Sequence, residues 1–249
     1  MRNIKLLTVI TLIAFGSIVS CTSKQVPAPV FENISSNSNA KGSKLEIKFL
    51  KGTSHNHPTF TIWVEDVEGN FIETLFVTRY LATGIYGHGS LREGKWDNKP
   101  GQAQRPSTLP YWLHKKGSID ESGSLLPNPQ HPMPDAITGA TPKGDFILNT
   151  STTKELPKKF RLMLEINQPW DWNEYWHNNL YPDDTNYKSS CQPALVYSVL
   201  IDTDSQNKTY YLNPIGHSHY SGKDGNLYTD LSTISSAKNI INKVSVSLK

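Results

Sequence analysis

Beyond about residue 42 the signal is predominantly β: several runs alternate apolar and polar residues with a period of two, the period of a half-buried β-strand. Leu45, Ile47 and Phe49 alternate with polar partners, and Phe60, Ile62 and Val64 repeat the pattern. Phe71 to Arg79 is rich in β-branched and aromatic residues, and Val67-Glu68-Gly69-Asn70 supplies a turn ahead of it. Phe160, Leu162, Leu164 and Ile166 give the strictest alternation, while Ala194 to Asp202 is apolar on both faces, as in a core strand. Phe146-Ile-Leu148, Tyr210 to Asn213 and Val244 to Leu248 are shorter candidates. One helix is expected near the end: Asp230 is placed to cap it, Leu231, Ile234 and Ile241 share a face, and it stops near Asn242-Lys243. Segments rich in Pro, Gly and Asn, 97–134 and 168–193, separate the strands. Loops of that length in a compact domain usually carry function or pack irregularly. The expected architecture is mainly β, an antiparallel β-sandwich with long loop insertions and one C-terminal helix.

The first residues follow a different logic. Arg2 and Lys5 are followed by the short apolar run Leu6 to Phe15, and then by Ile18-Val19-Ser20-Cys21. The order of charge, apolar run and small residues is that of a signal peptide, and its ending resembles the lipobox of bacterial lipoproteins. Residues 1–20 are therefore expected to be removed, and Cys21 to carry lipid. Residues 21–42, rich in Ser, Asn, Pro, Lys and Gly, are expected to form a flexible tether. Residues 43–249 are left as a single domain. Thr22, where an aspartate would retain the protein in the inner membrane, points to the outer membrane. The lack of an acidic cluster after Cys21 favours its periplasmic face. The only other cysteine is Cys191, so lipidation of Cys21 excludes an internal disulfide. Without Arg2 and Lys5 the 25 basic residues become 23 against 22 acidic ones, and the apparent basicity largely disappears. No basic stripe interleaved with aromatics remains, so nucleic acid is not an implied partner.

Four segments resemble a known family. They are Phe60-Thr-Ile-Trp-Val-Glu-Asp-Val-Glu-Gly-Asn-Phe-Ile-Glu-Thr-Leu75, Leu109-Pro-Tyr-Trp112, Asp135-Ala-Ile-Thr-Gly-Ala-Thr-Pro142, and the strand Phe160 to Ile166 with its Glu165. In this order they resemble the predicted periplasmic proteins of domain of unknown function 2271. The resemblance spans about residues 58–202. It implies an immunoglobulin-like β-sandwich similar to that of the flagellar hook-capping protein, and an association with extracytoplasmic flavin-transfer systems. A fold of this kind does not fix a function.

Three constellations could carry chemistry. Asp135-Ala-Ile-Thr-Gly-Ala-Thr141 looks like the acceptor of a flavin transferase, which would esterify FMN phosphate onto Thr141. Asp135, Thr138, Gly139 and Ala140 would then be recognition positions, and a flavin transferase or membrane reductase a partner. The same residues, between Pro134 and Pro142, also suit a turn entering a strand. His217-Ser-His219 places two imidazoles at i and i+2, on one face of a strand, where both could reach a divalent metal. His55, His57 and His88 are further donors; loop histidines bonded to carbonyls are the alternative. Trp170, Trp172 and Trp176, interspersed with Asp, Asn and Glu, have the composition of a sugar-binding surface, or of a loop burying its rings against the sandwich. The acidic pairs Glu65-Asp66, Asp183-Asp184 and Asp202 with Asp204 read as solvated or turn-forming charges. No nucleophile elbow, phosphate-cradling loop or cysteine–histidine pairing is present, so the expected protein is not an enzyme. It is expected to be a ligand- or partner-binding envelope lipoprotein, an accessory of an extracytoplasmic, flavin-linked redox system. An FMN carrier and a metal- or glycan-binding lipoprotein are the alternatives.

The anchor is directly testable, because acyl chains contribute about 0.8 kcal/mol per buried methylene. The processed protein should partition into the detergent phase of Triton X-114 and incorporate labelled palmitate, and Cys21→Ser should abolish the labelling and leave the signal peptide uncleaved.

Overall fold

The structure is a computed structural model that describes residues 30–92, 95–117, 125–134, 137–206 and 209–249. The expected signal peptide, Cys21 and the first part of the expected tether, residues 1–29, lie outside the described residues. Two sheets pack face to face, as the alternation predicts. In chain order the strands are β1 (Glu32–Ser36), β2 (Lys44–Lys51), β3 (Thr59–Glu65), β4 (Phe71–Thr78), β5 (Ile85–Tyr86), β6 (Ser90–Arg92), β7 (Lys95–Trp96), β8 (Gly101–Gln102), β9 (Thr138–Gly139), β10 (Phe146–Ser151), β11 (Lys159–Asn167), β12 (Leu195–Asp202), β13 (Tyr210–Tyr211), β14 (Asn213–His217) and β15 (Ile241–Leu248). One sheet has the order β1-β10-β2-β15-β13 and the other β14-β12-β11-β3-β4-β9. Pairing is antiparallel except at two edges, where β1 joins β10 and β9 joins β4 in parallel.

Phe49, Phe60, Phe76 and Phe146 meet between the sheets, with neighbouring ring centroids 4.7–5.9 Å apart. Leu45, Ile47, Ile62, Val64, Leu162, Leu164, Val244 and Val246 fill the space around them. The second sheet is buried on its outer face as well. Trp63 and Met163 project there from β3 and β11 and pack with Val77, Ala194 and Val196. The cover is the excursion after β4, which contains the helices α1 (Arg79–Thr83) and α2 (Pro110–Lys116) and contributes Leu81, Leu109, Tyr111, Trp112 and Leu113. This is why β3 is buried at every position although its sequence alternates.

Glu165 shows how the cover is tied down. Its neighbours Leu164 and Ile166 face the inter-sheet core, so its own side chain points outward, beneath α2. Oε1 accepts the backbone N–H of Tyr111 at 3.1 Å and Oε2 that of Trp112 at 2.8 Å, satisfying donors that a helix start leaves unpaired. In the first turn of α2, Trp112 Nε1 donates to Thr74 Oγ1 at 3.0 Å, and at its other end Lys115 Nζ donates to Gly69 O at 2.8 Å.

Two expectations need correction. The C-terminal helix is absent: Asp230 closes a local turn by accepting the N–H of Ser232, and only a short 3-10 turn, Ser236–Asn239, follows. Ile234, Ala237 and Ile240 are buried at intervals of three, the 3-10 period. Ile241, Val244 and Val246 then belong to β15, whose β-branched residues pair with β2. Nor is the expected tether, residues 21–42, unstructured throughout. Glu32–Ser36 adds an edge strand to β10, and Ser36 Oγ donates to Leu75 O at 2.8 Å. Backbone pairing at an edge needs little apolar side chain, so composition alone missed it.

Burial pushes the Glu165 carboxyl up to about 8, against the backbone N–H bonds from Trp112 and Tyr111 that lower it. The folded value lies above the ordinary 4.5, so the unfolded chain holds fewer protons between the two. Stability should therefore fall as pH rises through that interval, by at most ~1.4 kcal/mol per pH unit. Denaturant titrations of Glu165→Gln should show a flatter pH dependence. At acidic pH that variant should be about 1–3 kcal/mol less stable, because the amide NH2 would face a backbone N–H.

Candidate ligand-binding site

The three longest connections, 79–137, 168–194 and 218–240, leave from the ends of β4, β11 and β14. The strand registers Thr61 with Val77, Thr59 with Asn167 and Leu195 with His217 put those ends on the same end of the sandwich. Trp170, Trp172, Trp176 and His219 lie on these connections, whereas His217 ends β14, Thr138 and Gly139 form β9, and Ala140 and Thr141 follow it.

In the 168–194 connection Asp171 is the fixed point. It forms a bridge with Cys191, and its carbonyl accepts from both the backbone N–H of Gln192 (3.2 Å) and its Nε2 (3.1 Å). Its Oδ1 accepts from Ser236 Oγ. Burial raises the Asp171 carboxyl above its usual range, opposed by the hydrogen bonds from Ser236 and Gln192. With Asp171 turned inward, its neighbours Trp170 and Trp172 turn outward. Trp170 adopts φ +63°, a left-handed backbone that is uncommon without glycine. The two indoles meet edge to face at 5.8 Å and remain 56% and 48% exposed. Trp176 does the opposite: it is 5% exposed, and its Nε1 donates to Thr233 Oγ1 at 3.1 Å. Asn173 makes the change of direction, its Oδ1 accepting the backbone N–H groups of Tyr175 and Trp176 and its Nδ2 donating to Thr233 O. Trp176 is thus a core residue and not part of an open surface.

A third exposed indole comes from the other excursion. Trp96, on β7, is 40% exposed and stands across a recess of about 420 Å³ from Trp170 and Trp172. Nothing local in the sequence singles it out; the tertiary fold brings it there. The Arg105 guanidinium lies between two rings, 4.7 Å from the Trp96 centroid and 4.2 Å from that of Tyr86, so the indole is backed by a cation–π stack. Gln104, Asn178, Asn179 and Asn186 bring carboxamides to the walls, and Ser90, Thr185 and Lys188 complete them. The volume is that of a small-molecule site, with apolar walls and several convergent polar groups.

The histidine pair is arranged differently. His217 ends β14, so the strand geometry that would aim His219 alongside it stops there. His217 Nδ1 donates to Ser218 O at 2.8 Å, burial lowers its pKa, and its ring stacks on Tyr228 at 5.4 Å. His219 Nδ1 accepts the Ser221 N–H at 3.1 Å, and its ring stacks on Tyr220 at 4.4 Å. Among the described residues no three His, Cys, Asp or Glu side chains gather closely enough to hold a metal ion. His55 contacts Pro142 O, His57 its neighbour Asn56, and His88 Asp97 O.

Of the flavin-acceptor motif, Asp135 lies outside the described residues. Thr138 and Gly139 form β9 against the end of β4, and a Cβ on Gly139 would stand 2.7 Å from the Phe76 ring. Ala140 is exposed. The Thr141 Oγ1 is buried, with no hydrogen-bond partner among the described residues, so it is not the exposed hydroxyl that esterification needs. Cys191 is fully buried, and burial raises its thiol to about 11.

Comparison with protein-family models, with curated proteins and with solved structures returns no match. The likeness to domain of unknown function 2271 therefore rests on the sequence motifs themselves.

Removing the support under Trp96 should loosen the recess. Arg105→Ala should cost about 1–2 kcal/mol of stability and raise acrylamide quenching of tryptophan fluorescence. Trp96→Phe in the Arg105→Ala background should cancel the added quenching.

Proposed function

We propose that this chain is a non-enzymatic, lipid-anchored envelope protein that binds saccharide in the recess between Trp96, Trp170 and Trp172. The observation that carries the reading is three half-exposed indoles around one recess whose walls also hold four carboxamides. A pyranose presents an apolar C–H face to a ring and hydroxyls at its rim. Indoles take the first and carboxamides, which donate and accept, take the second. Large exposed apolar side chains cost solubility unless a partner covers them, and the three exposed indoles all line one recess. The polar groups that would do acid–base work are used structurally: Glu165 ties down α2, and Asp171 ties down the loop that presents the indoles.

The sequence supplies the address. The signal-peptide-like leader and the lipobox-like Ile18-Val19-Ser20-Cys21 support an address on the periplasmic face of the outer membrane, where envelope and exogenous glycans are both within reach. Such a protein serves as a capture accessory to other envelope proteins.

Intrinsic fluorescence titrations of the soluble domain against neutral and acidic glycans should show quenching or a blue shift that saturates. Trp170→Ala and Trp172→Ala should each weaken binding about tenfold or more, as anchor residues do, with thermal midpoints close to wild type. Saturable binding that survives both substitutions would sink the proposed site.

A further inference from the structure

Resting on the saccharide reading above, we infer that the ligand is an oligosaccharide chain that continues from the tryptophan recess, across Thr185 and Asn186, into a second recess at Tyr181 and Asp183. Thr185 and Asn186 line both recesses, so the two share a wall and form one elongated surface. The second recess, about 510 Å³, is shallower and is formed by the 180–186 stretch. Its floor offers the same pairing of chemistry as the first: apolar Leu180, Pro182 and the Tyr181 ring beside carboxylate acceptors.

This stretch is built to hold its shape. Tyr181 lies almost parallel to Tyr220, 4.0 Å between centroids and 2° between planes, and meets Tyr187 edge-on at 5.0 Å. Asp184 Oδ1 accepts the backbone N–H groups of Asn186 (3.0 Å) and Tyr187 (3.1 Å), while Asp184 N donates to Tyr181 O. Tyr187 OH donates to His177 O at 2.8 Å, closing the loop on itself. Asp184 is thus committed to the turn, and the exposed Asp183 beside it is the group placed to accept sugar hydroxyls. A surface fixed before binding loses little conformational entropy on binding, which favours reading several consecutive units of an extended chain.

The test is a ladder of N-acetylglucosamine oligomers and a ladder of glucose oligomers, monosaccharide to hexasaccharide, titrated calorimetrically into the soluble domain. In at least one ladder the tetrasaccharide should bind about tenfold or more tighter than the monosaccharide. Asp183→Ala, a change at an exposed position, and Tyr181→Leu should each reduce that gain and leave the monosaccharide affinity unchanged. Trp170→Ala should weaken every rung. Monosaccharide binding with a flat ladder, or a gain untouched by both Asp183→Ala and Tyr181→Leu, overturns this inference and leaves the tryptophan site standing. Absence of binding by every rung of both ladders overturns the inference and the saccharide reading together.

Discussion

The side-chain amide of Gln192 is the tie on which the loop end of this sandwich depends. Long connections have backbone donors and acceptors that no sheet or helix satisfies, and each one buried without a partner is costly. Gln192 answers for two connections at once. Its Nε2 donates to Asp171 O and to Ser236 Oγ, and its Oε1 accepts the Ser235 N–H at 2.8 Å. A carboxamide can do this because it carries donors and an acceptor on one rigid plane. Asp171 is thereby held inward and Ser235–Ser236 is held beside it. The exposure of Trp170 and Trp172 follows from that inward turn, so the candidate site is a consequence of a buried polar contact and not of the tryptophans' own preference.

Glu165 plays the matching part for the other excursion. The sheet it sits on has a second apolar face, formed by Trp63, Met163 and Val196, that water would otherwise meet. Covering it requires the segment around α2 to dock with its helix start above a strand. A carboxyl group aimed at that start accepts from two N–H groups and fixes the angle of approach. The result is three layers, sheet on sheet with an irregular cover, in place of a two-layer sandwich. Both walls of the recess are therefore supported: one by the polar tie at Gln192, the other by an excursion clamped through Glu165 and stiffened by the Tyr86–Arg105–Trp96 stack.

How much of this was legible in the sequence depends on how local each determinant is. The strands around Leu45, Phe60, Phe160 and Ala194 were legible, because period-two alternation is local and burial in a sandwich enforces it. The segment 230–243 was not. Its apolar residues fit a helical face and a 3-10 turn leading into a strand equally well, and the choice went to the turn because β2 offered an unpaired edge to Ile241–Leu248. The strand Glu32–Ser36 was hidden for a related reason, since its stabilisation comes from the backbone of β10 and not from its own side chains. At the candidate site Trp170 and Trp172 were legible as a composition, but Trp176 shares that composition and is buried. Trp96 could be found only from the tertiary fold.

Exposure is what separates the three constellations that looked alike as strings of residues. A reactive or ligand-binding group must be reachable, and the fold has used most of the candidates for other ends. Thr141 turns its hydroxyl inward, and the two imidazoles pack against Tyr228 and Tyr220 with one nitrogen of each already engaged. Indoles are the least suited of these groups to remain in water, because most of their surface is apolar. Yet three of them stay half exposed around one recess while Trp63, Trp112 and Trp176 are buried. A chain able to bury three tryptophans has the means to bury others. That it turns Trp170 outward through a left-handed backbone, and backs Trp96 with a guanidinium in place of core, is the physical ground of the proposal that these surfaces meet a ligand.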